Sequence, residues 1–108
     1  YVSKIQHFMS IEKPYMDANL TLPELAAKLE IPSHYLSRVI NEKLGLNFFD
    51  FINKYRIEEV KVKIANPEFN HLSLLGIAFE SGFNTKSAFN RVFKKLTGLT
   101  PSEYKSQL

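Results

Sequence analysis

The sequence predicts an all-α fold: seven helices forming two helix-turn-helix subdomains joined by a central linker helix. Three observations predict it. Apolar residues return at three- and four-residue spacings through most of the chain. Helix-start signals, such as Thr21 with Glu24 and Thr100 with Glu103, stand ahead of those runs. One pattern, a capped short helix followed by a tight turn and an amphipathic helix, occurs twice.

In chain order, Ile5, Phe8, Met9 and Glu12 mark an initial helix. "TLPELAAKL" opens with the Thr21–Glu24 capping-box spacing and puts Leu22, Leu25, Ala26 and Leu29 on one face of a helix of about two turns. "SHYLSRVINEKLG" places Leu36, Val39, Ile40 and Lys43 along one side and stops at Gly45, a left-handed exit. In "NFFDFINKYRIEEVKVKIANP", Asn47 is a cap and Asp50 holds the capping-box position, while apolar residues at 48, 49, 52, 55, 60 and 64 return to the buried side until Pro67. That is one helix of about 18 residues, about 27 Å long at 1.5 Å per residue. Phe51, Ile57 and Val62 widen its apolar surface, as packing against both flanking units requires.

"SLLGIAFESGF" then aligns Leu74, Ile77, Ala78 and Ser81, with Gly76 read as a place of close approach by the crossing helix. "NTKSAFNRVFKKLTG" aligns Phe89, Val92, Phe93 and Leu96 before Gly98. "TPSEY" starts the last short helix with Thr100 as N-cap, Pro101 at N1 and Glu103 at N3.

At an offset of 52, Leu20, Leu22 and Ala26 match Leu72, Leu74 and Ala78; at 53, Arg38, Val39, Gly45 and Leu46 match Arg91, Val92, Gly98 and Leu99. One residue is therefore inserted near the turn. The expected division is 1–46 for the initial helix and first unit, 47–66 for the linker helix, and 67–108 for the second unit and last helix.

With 108 residues, 44% hydrophobic and 23% charged, the chain is of a size and composition for one compact core or two small ones sharing a helix, not for a large enzyme or a disordered chain. No cysteine is present, so neither a disulfide framework nor a thiolate metal site is available. The start at Tyr1 rather than Met suggests a piece of a longer protein. No apolar run approaches the roughly 20 residues that span a bilayer. The net charge of +3 is unevenly placed: residues 1–54 carry six Lys/Arg and six Asp/Glu, residues 55–108 eight and five. A basic second half suits a polyanion.

A two-helix unit with a tight turn can lay its second helix in a DNA major groove. Taking Leu36 as inward, 100° per residue turns His34, Arg38 and Asn41 outward, with Ser37 at the flank. From Phe89 the same construction turns Ser87, Arg91 and Lys94 outward, with Lys86, Asn90 and Lys95 beside them. Both stripes mix base-edge readers with cations for phosphate. Arg38 and Arg91 occupy equivalent points of the repeat, which two unrelated solvated surfaces would not require.

A protein-interaction helical bundle and an RNA-binding module remain as alternatives, although side chains do not readily enter the narrow major groove of A-form RNA. Catalysis is not expected. Glu58 and Glu59 are adjacent and diverge on a helix, Asp50 is assigned to a cap, and His7, His34 and His71 lack a ligand spacing. No cofactor or metal is called for.

The segment "IAFESGFNTKSAFNRVFKKLTGLTPSEY", with "LAAKLEIPSHYLSRVINEKLG" and "FINKYRIEEVK", resembles the C-terminal DNA-binding domain of AraC/XylS-type bacterial transcription regulators over about Ile11 to Tyr104. "EKPYMDANLTLPELA" and "NFFDFINKYR" further resemble a variant common among Bacteroidetes-like bacteria, often the output end of long sensory proteins. The resemblance implies a sequence-specific double-stranded DNA-binding domain of a transcription activator that contacts RNA polymerase. It assigns base reading to His34, Ser37 and Arg38 in the first recognition helix and to Lys86, Ser87, Asn90 and Arg91 in the second. Ser33, Asn41, Thr85, Lys94 and Lys95 are the DNA-backbone candidates. An upstream sensory domain, a monomeric fragment and a cytoplasmic location for this domain follow as expectations, with a membrane anchor elsewhere in the protein left open.

Overall fold

The computed structural model describes residues 2–108 and shows seven α-helices and no strand among them. The helices are α1 (Val2–Glu12), α2 (Leu22–Leu29), α3 (Ser33–Leu44), α4 (Phe48–Ala65), α5 (Leu74–Glu80), α6 (Lys86–Thr97) and α7 (Pro101–Ser106); short 3-10 turns occupy Pro14–Met16 and Pro67–Phe69. Local chemistry sets most of the starts. Thr21 with Glu24 and Thr100 with Glu103 close full capping boxes on α2 and α7. Asn47, Ser73 and Thr85 each accept an amide of the first turn of α4, α5 and α6. Gly45 and Gly98 end α3 and α6 with φ of 68° and 79°.

The repeat is preserved in the order and spacing of the helices. Leu22 and Leu74 start the supporting helices and Ser33 and Lys86 start the second helices, so the offset steps from 52 to 53 inside the turn. The first turn spans residues 30–32 and the second 81–85.

Two hydrophobic clusters form, and α4 supplies both. Phe51 and Ile52 join Ile5, Met9, Leu25, Leu36 and Ile40 in the first. Ile57, Val60 and Ile64 join Ile77, Phe83, Phe89 and Phe93 in the second. Rings at Phe83, Phe89, Phe93 and Tyr104 run through the second cluster with successive centroids 5.4, 5.8 and 5.5 Å apart, in the tilted and edge-on arrangements that aromatic quadrupoles favour.

A polar interlock holds the clusters together. Arg56, at the middle of α4, donates from Nε to the Tyr15 carbonyl at 2.7 Å and from Nη2 to the Asp17 carbonyl at 3.0 Å. The Tyr15 hydroxyl donates to Glu59 at 3.0 Å, and Lys13 pairs with the same carboxylate at 2.8 Å. Buried Lys63 donates to the Glu80 carbonyl at 2.9 Å and to Ser81 Oγ at 3.3 Å, placing a cation at the C-terminal end of α5 where orphan carbonyls gather. Gly82, with φ of 109°, sits in the turn of the second unit against the Tyr15 carbonyl; a Cβ there would collide with that oxygen and come within 2.8 Å of Arg56 Nε. Its counterpart at the offset of 52 is Glu30, also left-handed at φ 60°.

Several details depart from the periodicity. Phe49 is 71% exposed and Val62 62% exposed rather than buried, because a helix with two separate clusters to fill cannot turn every apolar residue inward. Leu96 is 44% exposed and Lys43 exposed, both beyond the rim of the faces assigned to them. Asp50 does not close a capping box: its amide donates to Asn47, while its carboxylate reaches across to Lys95. At Gly76 the closest neighbours belong to Leu72 and Ser73 rather than to a crossing helix. The nearest atom to a Cβ would be Ser73 Oγ at 3.3 Å, which caps the same helix, so the tightness is local.

Candidate nucleic-acid interface

The first candidate helix, α3, is anchored by Leu36, Val39 and Ile40. Their burial turns His34, Arg38 and Asn41 into solvent, with Ser33 and Ser37 half-buried at the flank. Pro32 occupies the N-cap and offers no side-chain acceptor. Asn41 folds back along its own helix, with Nδ2 donating to the Ser37 carbonyl at 2.9 Å and lying 3.5 Å from Ser37 Oγ. Arg38 and His34 have no hydrogen-bonding or ionic side-chain partner among the described residues.

On α6, Phe89, Val92 and Phe93 are buried and Lys86, Ser87, Asn90, Arg91, Lys94 and Lys95 are exposed. Thr85 Oγ1 accepts the Ala88 amide at 3.1 Å, which leaves its hydroxyl hydrogen available to an outside acceptor. The cations differ in their surroundings. Lys94 lies 4.0 Å from Glu103 and Lys95 3.4 Å from Asp50. Lys86 and Arg91 have no ionic partner among the described residues. The Glu103 carboxyl is held below its usual range, first by the Thr100 amide, then by the Thr100 hydroxyl and the charge of Lys94.

Every candidate predicted from the sequence therefore lies on α3 or α6, or at the α6 cap, and none belongs to the buried clusters. The long axis of the molecule measures 41 Å. Sequence reasoning missed Asp50 as a neighbour of Lys95. It also missed Arg56, Glu59 and Lys63 as residues that hold α4 to the segments around it. Their partners include carbonyls 17 to 41 residues away, for which no side-chain pattern exists. Among the described residues no three His, Cys, Asp or Glu side chains gather as metal ligands do, and no helix is long and apolar enough to cross a membrane.

A family model described as a helix-turn-helix domain matches residues 25–107. An uncharacterized HTH-type transcriptional regulator of Bacillus subtilis, YtdP, is 31% identical over 91 residues, which are 84% of this chain and 11% of that relative. The C-terminal domain of the two-component response regulator yesN from Fusobacterium nucleatum is 33% identical with a TM-score of 0.75, covering 94% of this chain and 93% of that one. The C-terminal domain of AraT, a response regulator from Geobacillus stearothermophilus, is 28% identical with a TM-score of 0.77, covering 97% and 85%.

Proposed function

The chain belongs to the AraC-type helix-turn-helix family and is a DNA-binding domain of a transcription regulator; from that premise we propose that α3 and α6 read two neighbouring major grooves of one duplex. The observation that carries the reading is the equivalence of Arg38 and Arg91. Each stands on the outward side of a second helix whose inward side is buried, and each lacks an ionic partner among the described residues.

Arg91 and Arg38 are suited to bidentate recognition of guanine O6 and N7, and Asn90 to adenine N6 and N7. His34, Ser37, Lys86 and Ser87 complete the base-facing set. Ser33, Asn41, Thr85, Lys94 and Lys95 contact phosphate. Carrying both readers on one chain, the fragment binds an asymmetric site as a monomer.

That yesN and AraT are response regulators matched in their C-terminal domains, and that the chain spans a small share of YtdP, support a longer protein with an upstream sensory domain. Activation through contact with RNA polymerase, in the cytoplasm where bacterial DNA lies, completes the proposal; any membrane anchor belongs to that upstream part.

Selection of bound duplexes from a random pool, followed by footprinting, tests it. Two protected major grooves about one helical turn apart, 10 to 10.5 base pairs, are expected. A single short footprint by the folded fragment, or preference for RNA over duplex DNA, overturns it.

A further inference from the structure

Asp50 and Lys95 are 45 residues apart in sequence and meet between the first turn of α4 and the last turn of α6, with Oδ1 3.4 Å from Nζ. The Asp50 amide already satisfies Asn47, so its carboxylate is not consumed by the cap. The pair borders a cleft of about 270 Å³ that Arg91 and Asn53 also line, and Asp50 is the one carboxylate among its lining residues. The side chains of Lys95 and Asp50 are 62% and 35% exposed. An ion pair this wet contributes little to stability, and its acidic member stands beside the helix that carries Arg91.

We propose that Asp50 is a positioning residue that acts through Lys95, holding its ammonium back from DNA phosphate and so lowering affinity for every duplex. The inference rests on α6 being a DNA-reading helix. For Lys95 to neutralise a phosphate, the ammonium must leave Asp50, and the abandoned carboxylate then faces the phosphate as a like charge. This repulsive element penalises sequence-independent attraction, which is carried by phosphate contacts. Arg91 has no ionic partner among the described residues, so base reading breaks no such pair. Phosphate contacts support binding to the preferred and to unrelated duplexes alike, so the penalty falls on both and leaves the base preference unchanged.

The test compares the wild-type chain with Asp50→Asn on the selected duplex and on unrelated duplexes across a salt series. Asp50→Asn should bind unrelated duplexes several-fold more tightly, with a log–log salt slope steeper by about 0.9, the value of one added phosphate contact on B-DNA. The selected duplex should gain by a similar factor, so the specificity ratio is kept. Asp50→Glu should restore wild-type behaviour. In a Lys95→Met background Asp50→Asn should have no further effect on the slope. The near-identical shape of Asn keeps the fold, which a thermal transition near the wild-type value checks. Unchanged affinity and slope on unrelated DNA, or a full effect without Lys95, overturns the inference while leaving duplex reading intact. A wild-type chain that binds no duplex overturns both.

Discussion

Arg56 Nε and Gly82 meet at the Tyr15 carbonyl: the guanidinium donates to it at 2.7 Å, and the glycine leaves no room there for a side chain. One backbone oxygen from the first unit is thus held by the linker helix and covered by the turn of the second. The relation between the two candidate reading helices depends on this contact as well as on the length of α4.

Gly82→Ala should therefore be destabilising. The left-handed φ of 109° strains any residue with a Cβ, by about 1–3 kcal/mol, and the new methyl meets backbone rather than a yielding side chain. Urea denaturation should show the lower midpoint. Protein that remains folded should lose more affinity for the complete selected site than for either half of it, because the turn that positions α6 has moved.

Arg56→Lys keeps the charge but removes the planar fork that serves the Tyr15 and Asp17 carbonyls together. Leaving a part-buried acceptor unsatisfied costs about 1–3 kcal/mol. Since α4 feeds both clusters, the expected result is loss of cooperativity. Unfolding followed by near-ultraviolet and far-ultraviolet circular dichroism should give transitions that no longer coincide; coincident transitions at the wild-type midpoint would contradict this role.

Glu59 predicts the acid limb of stability. Burial raises its carboxyl, but hydrogen bonds from Lys13 and Tyr15 and the charges of Lys13 and Lys63 outweigh it, leaving a net shift below the ordinary 4.5. With the folded value below the unfolded one, the stabilisation is full above about pH 4.5 and is lost as pH falls through the folded value. Glu59→Gln should be less stable at pH 7, and the gap from wild type should narrow toward pH 3. Glu103, shifted in the same direction, is present in both proteins and cancels from the difference.

Arg91→Ala and Lys94→Ala should differ in kind. The first should cost about 1–3 kcal/mol on the preferred duplex and relax selectivity at one base pair, whereas the second should weaken all duplexes more evenly and lower the salt slope by about 1. Titrations against single-base variants at several salt concentrations distinguish them. An Arg91→Ala protein with wild-type affinity and base preference would remove Arg91 from the reading set.

Most of the helical architecture was legible in the sequence because its causes are local. Thr21 with Glu24, Asn47, Thr100 with Glu103, and the glycines at 45 and 98 act on their own helix ends. The inward positions of Leu36 and Phe89 orient α3 and α6 through periodicity alone. The repeat was legible too, because the same short-range signals recur with one residue inserted in the turn. Those signals place His34, Arg38, Ser87 and Arg91 on outward faces without reference to any distant residue.

Only the tertiary structure decided where the shared helix divides its surface. Ile52 enters one cluster and Ile57 the other, while Phe49 and Val62 stay outside both. Only the fold brought Asp50 to Lys95, Lys63 to the end of α5, and Gly82 over Tyr15. The physical reason is range. Capping and helical periodicity act within one or two turns of chain, whereas these contacts depend on how α4 crosses its neighbours, and several end on backbone carbonyls whose identity no side-chain pattern encodes.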